Sequence, residues 1–246
     1  MASKYNPNGT LLWEGPSLYD GEPVFVVLTG IKGSSANDKT GDLLQTFILK
    51  QNGKPAEHIN AGTDLSICGP CPFISGNGCY VAATPWKGGA NSVYKAYKNN
   101  RYEPFNSSIG EKIRGRKIRF GAYGDPAAVP VSVWANLTKL ASGFTGYTHG
   151  WKDNPDLAPY CMASVHSLAE AKQAQALGYR TFRTVPTEDN AVAKKMLFTN
   201  EIICPEATHD TQCASCMLCG GASKQAKNII IPVHGATRNK ASEVSI

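Results

Sequence analysis

The chain has 246 residues, enough for one domain with a sizeable buried core and short for two. Apolar residues at 42% and charged residues at 18% exclude intrinsic disorder, and the net charge of +6 is too mild for a dedicated nucleic-acid binder. No apolar run approaches the roughly 18 residues a membrane-spanning helix needs, and the start Met1-Ala2-Ser3-Lys4-Tyr5 lacks a signal-type apolar core, so a soluble, cytoplasmic protein is expected.

In chain order, residues 23–28 and 45–49 read as strands. The polar, glycine-bounded stretch 32–41 between them offers backbone N–H groups to an anion but lacks the spacing of a P-loop. Cys68, Cys71 and Cys79 follow, spaced C-x2-C-x7-C, and then a short amphipathic helix over 91–98. The basic stretch 112–119 leads into a strand over 117–123 that ends at Gly124-Asp125-Pro126. Residues 131–140 have helical periodicity, and 144–149 and 160–165 read as strands. The second of these runs into a helix opened by a Ser167/Glu170 capping box, with Leu168, Ala171 and Ala174 on its apolar face and Gly178 as its stop. Strands are expected again over 181–185, 201–203 and 228–233. Alternating strands and helices predict a mainly parallel sheet, with a partial or irregular (β/α) barrel first and a doubly wound open sheet second. One domain is expected: residues 1–116 with the first strands and first cysteines, 117–236 with the regular units and second cysteines, and 237–246 as a flexible tail.

Eight cysteines in a reducing compartment point to metal ligands before disulfides. Seven fall in two windows, the second being Cys204, Cys213, Cys216 and Cys219 with spacing C-x8-C-x2-C-x2-C. Two-residue spacers let successive thiolates converge, and Gly69-Pro70, Pro72, Gly76, Gly78, Pro205 and Gly220-Gly221 supply tight turns. Four thiols suit a [4Fe–4S] cluster or a tetrahedral zinc, and the C-x2-C-x2-C run with Cys204-Pro205 favours iron–sulfur over zinc. The first group has three thiols, which leaves one iron open unless Cys161 or a cysteine of the second group completes it.

In barrels the chemistry gathers at the carboxyl ends of strands. Those ends carry Tyr123 and Asp125, Tyr147 and His149, Ser164 and His166, Arg183, Cys204 and His234. Asp125, His149, His166 and His234 are the candidates for positioning or protonating a substrate, and Tyr123, Tyr147, Ser164 and Arg183 for holding a cofactor.

Several of these stretches together resemble a family of bacteriophage gene products. They are Cys68-Gly69-Pro70-Cys71 with Cys79-Tyr80-Val81, Gly121-Ala122-Tyr123-Gly124-Asp125-Pro126, Gly146-Tyr147-Thr148-His149, Met162-Ala163-Ser164-Val165, Cys204-Pro205-Glu206, Cys213 to Gly220 and Val233-His234-Gly235. The resemblance spans residues from about 30 to 236 and implies a phage protein of the host cytoplasm, with no particular activity. A looser similarity runs to phage and plasmid proteins with a three-cysteine motif ending in Cys-Tyr, relatives of radical S-adenosylmethionine barrels. It implies a partial (β/α) barrel with an iron–sulfur centre and S-adenosylmethionine as a candidate cofactor. Those enzymes use C-x3-C-x2-C with an aromatic residue before the last cysteine, whereas here Tyr80 follows Cys79, and Gly88-Gly89 is a candidate counterpart of their glycine pair.

The leading expectation is therefore a phage iron–sulfur protein with cluster-assisted or radical-type chemistry on a small molecule. Two others stand beside it. One is a zinc-stabilised, non-catalytic binding protein that meets nucleic acid through residues 112–119 or docks on a host protein. The other is a barrel hydrolase whose histidines and Asp125 hold a catalytic metal.

Overall fold

The computed structural model describes residues 5–33, 37–74, 78–79, 81, 84–234 and 239–240, without the side chains of 84–88. The tail expected from residue 237 lies outside this set but for residues 239 and 240, and Tyr80 and Gly235 also lie outside it.

The chain opens with β1 (Gly9–Pro16), β2 (Pro23–Thr29) and β3 (Leu44–Lys50), paired antiparallel in sequence order. Val24 to Leu28 of β2 are all at 0% exposure, so its unbroken apolar run is that of a strand covered on both faces. Helices α1 (Pro55–Ala61), α2 (Leu65–Cys68) and α3 (Thr84–Lys98) follow, with Gly88-Gly89 inside α3. The two-residue strand β4 (Glu103–Pro104) runs parallel to β1 at the sheet edge, and α4 (Ser107–Ile113) leads to β5 (Lys117–Tyr123). β5 lies parallel to β3 and takes β6 (Gly143–Thr145) on its other side, after helix α5 (Val131–Thr138). This first sheet has the order β4-β1-β2-β3-β5-β6 and is mixed.

The second sheet is parallel throughout. It contains β7 (Tyr147–Thr148), β8 (Met162–Val165), β9 (Thr181–Val185), β10 (Glu201–Ile203) and β11 (Asn228–Pro232) in the order β10-β11-β9-β8-β7. Helices α6 (Leu168–Ala176) and α7 (Asn190–Lys195) connect its strands. Only Gly146 separates β6 from β7, so one stretch of chain edges both sheets.

The mainly parallel arrangement holds in the second sheet and over the β4–β1, β3–β5 and β5–β6 pairings of the first; the departure is the antiparallel β1-β2-β3 run at the start of the chain. The capping box forms with a shift of one residue: Ser167 accepts from the Glu170 N–H at 3.1 Å, while Glu170 accepts from His166 N–H at 2.8 Å.

β5 is the strand that aims residues at the site, and two glycines bend it. Gly121 has φ +64, and a Cβ there would lie 2.5 Å from the Gly124 carbonyl oxygen; at Gly124, φ +86, it would lie 2.6 Å from Ile48. Where the β3–β5 register slips, Gly121 N–H donates to the Thr46 hydroxyl at 2.8 Å. This bulge turns the strand end, with Tyr123 and Asp125, inward.

The main core runs continuously from β2, β3 and β5 of the first sheet to Ala163 and Val165 of β8 and Ala171 and Ala174 of α6, and Trp134 of α5 is its largest fully buried side chain. Its indole lies 4.9 Å from Phe120, and its N–H donates to the Pro126 carbonyl at 2.9 Å. Among the described residues, no helix is long and apolar enough to cross a membrane.

Candidate metal and ligand site

A cavity of about 660 Å³ lies where the strands end, and all seven grouped cysteines line it. Cys68 closes helix α2, and Cys71 and Cys79 lie in the irregular segment that follows. Gly69 makes the turn between the first two: it has φ +52, and a Cβ there would sit 2.2 Å from the Tyr19 ring. Cys204 precedes helix α8 (Pro205–His209), Cys213 and Cys216 bound the single turn α9 (Cys213–Cys216), and Cys219 is buried beyond it.

Burial pushes the Cys68 thiol well above its usual range, with Cys71 and Asp64 adding to the effect. Burial likewise lifts Cys71 and Cys219 to about 12, and raises Cys204 and Cys213. At Cys219 the Tyr147 hydroxyl hydrogen-bonds the sulfur and favours its thiolate, against Cys204, Cys213 and Cys216, which oppose it. Crowded, desolvated thiols of this kind become thiolates when a cation neutralises them. The donor chemistry therefore fits a metal centre at each group. Among the described residues, no three His, Cys, Asp or Glu side chains converge on a point as a preformed ion site.

The second group is tied to the N-terminal half. Cys213 N–H donates to the Lys39 carbonyl at 2.9 Å, Ala214 N–H to the Thr40 carbonyl at 3.1 Å, and Lys117 Nζ to the Ala214 carbonyl at 2.5 Å. Lys39 also pairs with Glu206 at 3.2 Å. In the loop expected to offer N–H groups to an anion, of which 34–36 lie outside the described residues, Asn37 Oδ1 accepts from the N–H groups of Lys39 and Thr40, the Asn37 carbonyl accepts from Gly41 N–H, and Lys32 N–H donates to Asn8 Oδ1. Its Lys39 and Thr40 carbonyls brace the second thiol segment.

Of the other expected site residues, Tyr123, Asp125, Tyr147, His149, Ser164 and His234 line the cavity. Asp125 is 7% exposed, and its carboxylate accepts from the Thr148 hydroxyl at 2.6 Å, His149 N–H at 2.7 Å and Ala127 N–H at 2.9 Å. Burial raises its pKa while those donors hold it down. With its oxygens taken by the chain, Asp125 fixes the loop that presents His149. Tyr123 donates to Asp64 Oδ2 at 2.9 Å. His234 is exposed at the rim, with Nδ1 2.9 Å from the Pro232 carbonyl oxygen.

His149 stacks on His166, with ring centroids 5.4 Å apart, and Phe73 meets both rings edge-on at 5.9 and 5.0 Å. Burial and then His166 push the His149 pKa down to about 3, so its imidazole is neutral. Its Nε2 and both ring nitrogens of His166 are buried and unpartnered among the described residues. His166 sits behind His149 and outside the cavity wall.

Arg183 is not brought to the site. It turns to the other face of β9, where Nε and one Nη contact the two Glu201 oxygens at 3.0 and 2.7 Å and the guanidinium covers the Phe198 ring at 4.2 Å. The basic stretch 112–119 is also largely occupied: Arg114 pairs with Glu111, Arg116 with Asp42, Lys117 with the thiol segment, and Arg119 lines the cavity.

The cavity wall contains residues that motif reading missed, among them Arg119, Thr145, Phe182 and Thr184. Each sits two residues from an expected site residue or from its neighbour in the wall: Arg119, Gly121 and Tyr123 on β5, Thr145, Tyr147 and His149 across β6 and β7, and Phe182 with Thr184 on β9. The alternation of strand side chains was the signal that could have found them.

Comparison with protein-family models, with curated proteins and with solved structures gave no match.

Proposed function

We propose that the chain is a phage iron–sulfur protein of the host cytoplasm that binds a small molecule between its two thiol groups and acts on it by cluster-assisted, radical-type chemistry. The observation that supports this most is that seven of the eight cysteines, from segments about 130 residues apart in sequence, border one cavity. A cavity of about 660 Å³ is of the size that encloses a cofactor or drug-sized ligand, commonly about 300–1,000 Å³. The fold reads as a partial (β/α) barrel because β6 and β7 join the two sheets through Gly146 and their strands present alternate residues to the same cavity.

Thiolate-bound iron supplies one-electron chemistry. The chain's own residues do the rest. Phe182, Ile229 and Ile231 form an apolar wall that excludes water, Arg119 offsets thiolate charge beside Cys213, and Thr145, Ser164 and Thr184 offer hydroxyls to a ligand. S-adenosylmethionine is the candidate cofactor in this reading, and the cavity between the two thiol groups is where it would bind.

Anaerobic purification with iron, zinc and acid-labile sulfide analysis tests the reading. Iron with matching sulfide and a thiolate-to-iron absorption band support it. A colourless protein with stoichiometric zinc, and no iron after anaerobic reconstitution, overturns it in favour of a zinc-stabilised binding protein.

A further inference from the structure

The three-thiol group lacks a fourth donor, and the cavity wall beside it holds one. We propose that His149 Nε2 completes the first thiol group, giving a Cys68, Cys71, Cys79 and His149 donor set for one metal centre. The inference rests on the metal-binding reading above and goes beyond it by assigning the ligand that no cysteine supplies.

Four observations carry it. His149 lines the same cavity as the three thiols. Its Nε2 is buried without a partner among the described residues, as are both ring nitrogens of His166, and of the two histidines only His149 lines the cavity. Asp125 Oδ2 lies 4.0 Å from Nδ1, on the far side of the ring, and the same oxygen accepts from the His149 backbone N–H. At 4.0 Å this is a through-space contact and no hydrogen bond, and the negative charge on the Nδ1 side favours the tautomer with its proton at Nδ1 and its lone pair at Nε2. Phe73 lies between Cys71 and Cys79 in sequence and packs edge-on against the His149 ring, so the segment bearing two of the thiols rests on this imidazole.

The competing donors are less well placed. Cys161 is at 0% exposure and outside the cavity, with its sulfur against Gly146. His166 stacks behind His149, and the four cysteines of the second group form a complete set of their own. The donors share a wall without converging on a point, so the assignment is of ligands and not of a coordination geometry.

The test is pulsed electron paramagnetic resonance on the anaerobically purified, dithionite-reduced full chain, made with ordinary or 15N-labelled histidine, beside His149→Ala and His149→Gln. A histidine-nitrogen hyperfine coupling in the parent that is lost in either folded variant, with metal retained, is the expected result. A paramagnetic signal from the reduced iron centre without any His149-dependent coupling overturns the inference and leaves the iron–sulfur reading standing. If the bound metal is zinc, the iron–sulfur reading falls, and the cobalt(II)-substituted protein is measured in the same way. A His149-dependent coupling there upholds the donor set, and its absence overturns it. A chain that binds no metal overturns both.

Discussion

Arg183 is predicted to be a stability residue, despite its place at a strand end among site candidates. Its guanidinium and the Glu201 carboxylate are 5% and 3% exposed and joined by two contacts, at 3.0 and 2.7 Å. A third donor contact reaches the Met196 carbonyl at 2.8 Å, and Glu201 also accepts from Phe198 N–H at 2.8 Å. Removing one partner of such a pair leaves a desolvated charge uncompensated, at a cost of about 3–5 kcal/mol. For a chain of this size each kcal/mol lowers the melting temperature by about 2–4 °C, so Arg183→Met should melt roughly 6–20 °C below the parent. Replacing both partners, as in Arg183→Met with Glu201→Leu, should recover most of that loss, because no buried charge remains. Calorimetry or a thermal melt of the parent, the two single variants and the double variant closes the cycle. An Arg183→Met protein that melts with the parent yet loses ligand binding would refute this reasoning and restore Arg183 to the site.

Three further outcomes follow from the geometry. Gly69→Ala should cost about 1–3 kcal/mol, since its positive φ and the Tyr19 ring both exclude a Cβ, and should lower metal content at the first thiol group; unchanged melting and metal content would remove Gly69 as the turn that sets Cys68 against Cys71. Cys161→Ala should keep the parent's full metal content with a stability loss of at most about 2 kcal/mol, and a fall in metal per chain would make Cys161 a ligand after all. In the metal-free protein, burial holds His149 at about 3, below the roughly 6.5 of an unfolded histidine, so the unfolded chain binds more protons between those values. Stability attributable to His149 is then present above that range and falls as pH drops, by about 2 kcal/mol at roughly pH 5, a slope that His149→Gln should flatten in acid-denaturation curves.

The elements with strong local signals were legible in the sequence. The apolar run of β2, the alternation of β5 and the Ser167 cap all stand where pattern and capping place them. The antiparallel start was not legible, because β1 (GTLLWEGP) has a mixed pattern and owes its strand form to pairing with β2 through a bulge between Leu11 and Trp13. Spacing found both cysteine groups, but only folding shows that they face one cavity, since their approach depends on sheet pairing and on the brace from Lys39 and Thr40. Arg183 misled because a strand end says nothing of which face a residue takes. Its neighbours Phe182 and Thr184 point to the cavity, so period-two alternation sends Arg183 away from it.

Thiol accessibility tests the central claim, that the two cysteine groups hold metal around a shared cavity, most directly. Cys71, Cys79, Cys204, Cys213 and Cys216 are partly exposed, whereas Cys161 is fully buried. Alkylation of the native protein, read by mass spectrometry before and after chelation, should show these five protected in the metal-loaded chain and modified once the metal is removed, with Cys161 unmodified in both. Equal modification of the five before and after chelation, in protein that retains bound metal before treatment, would contradict the account.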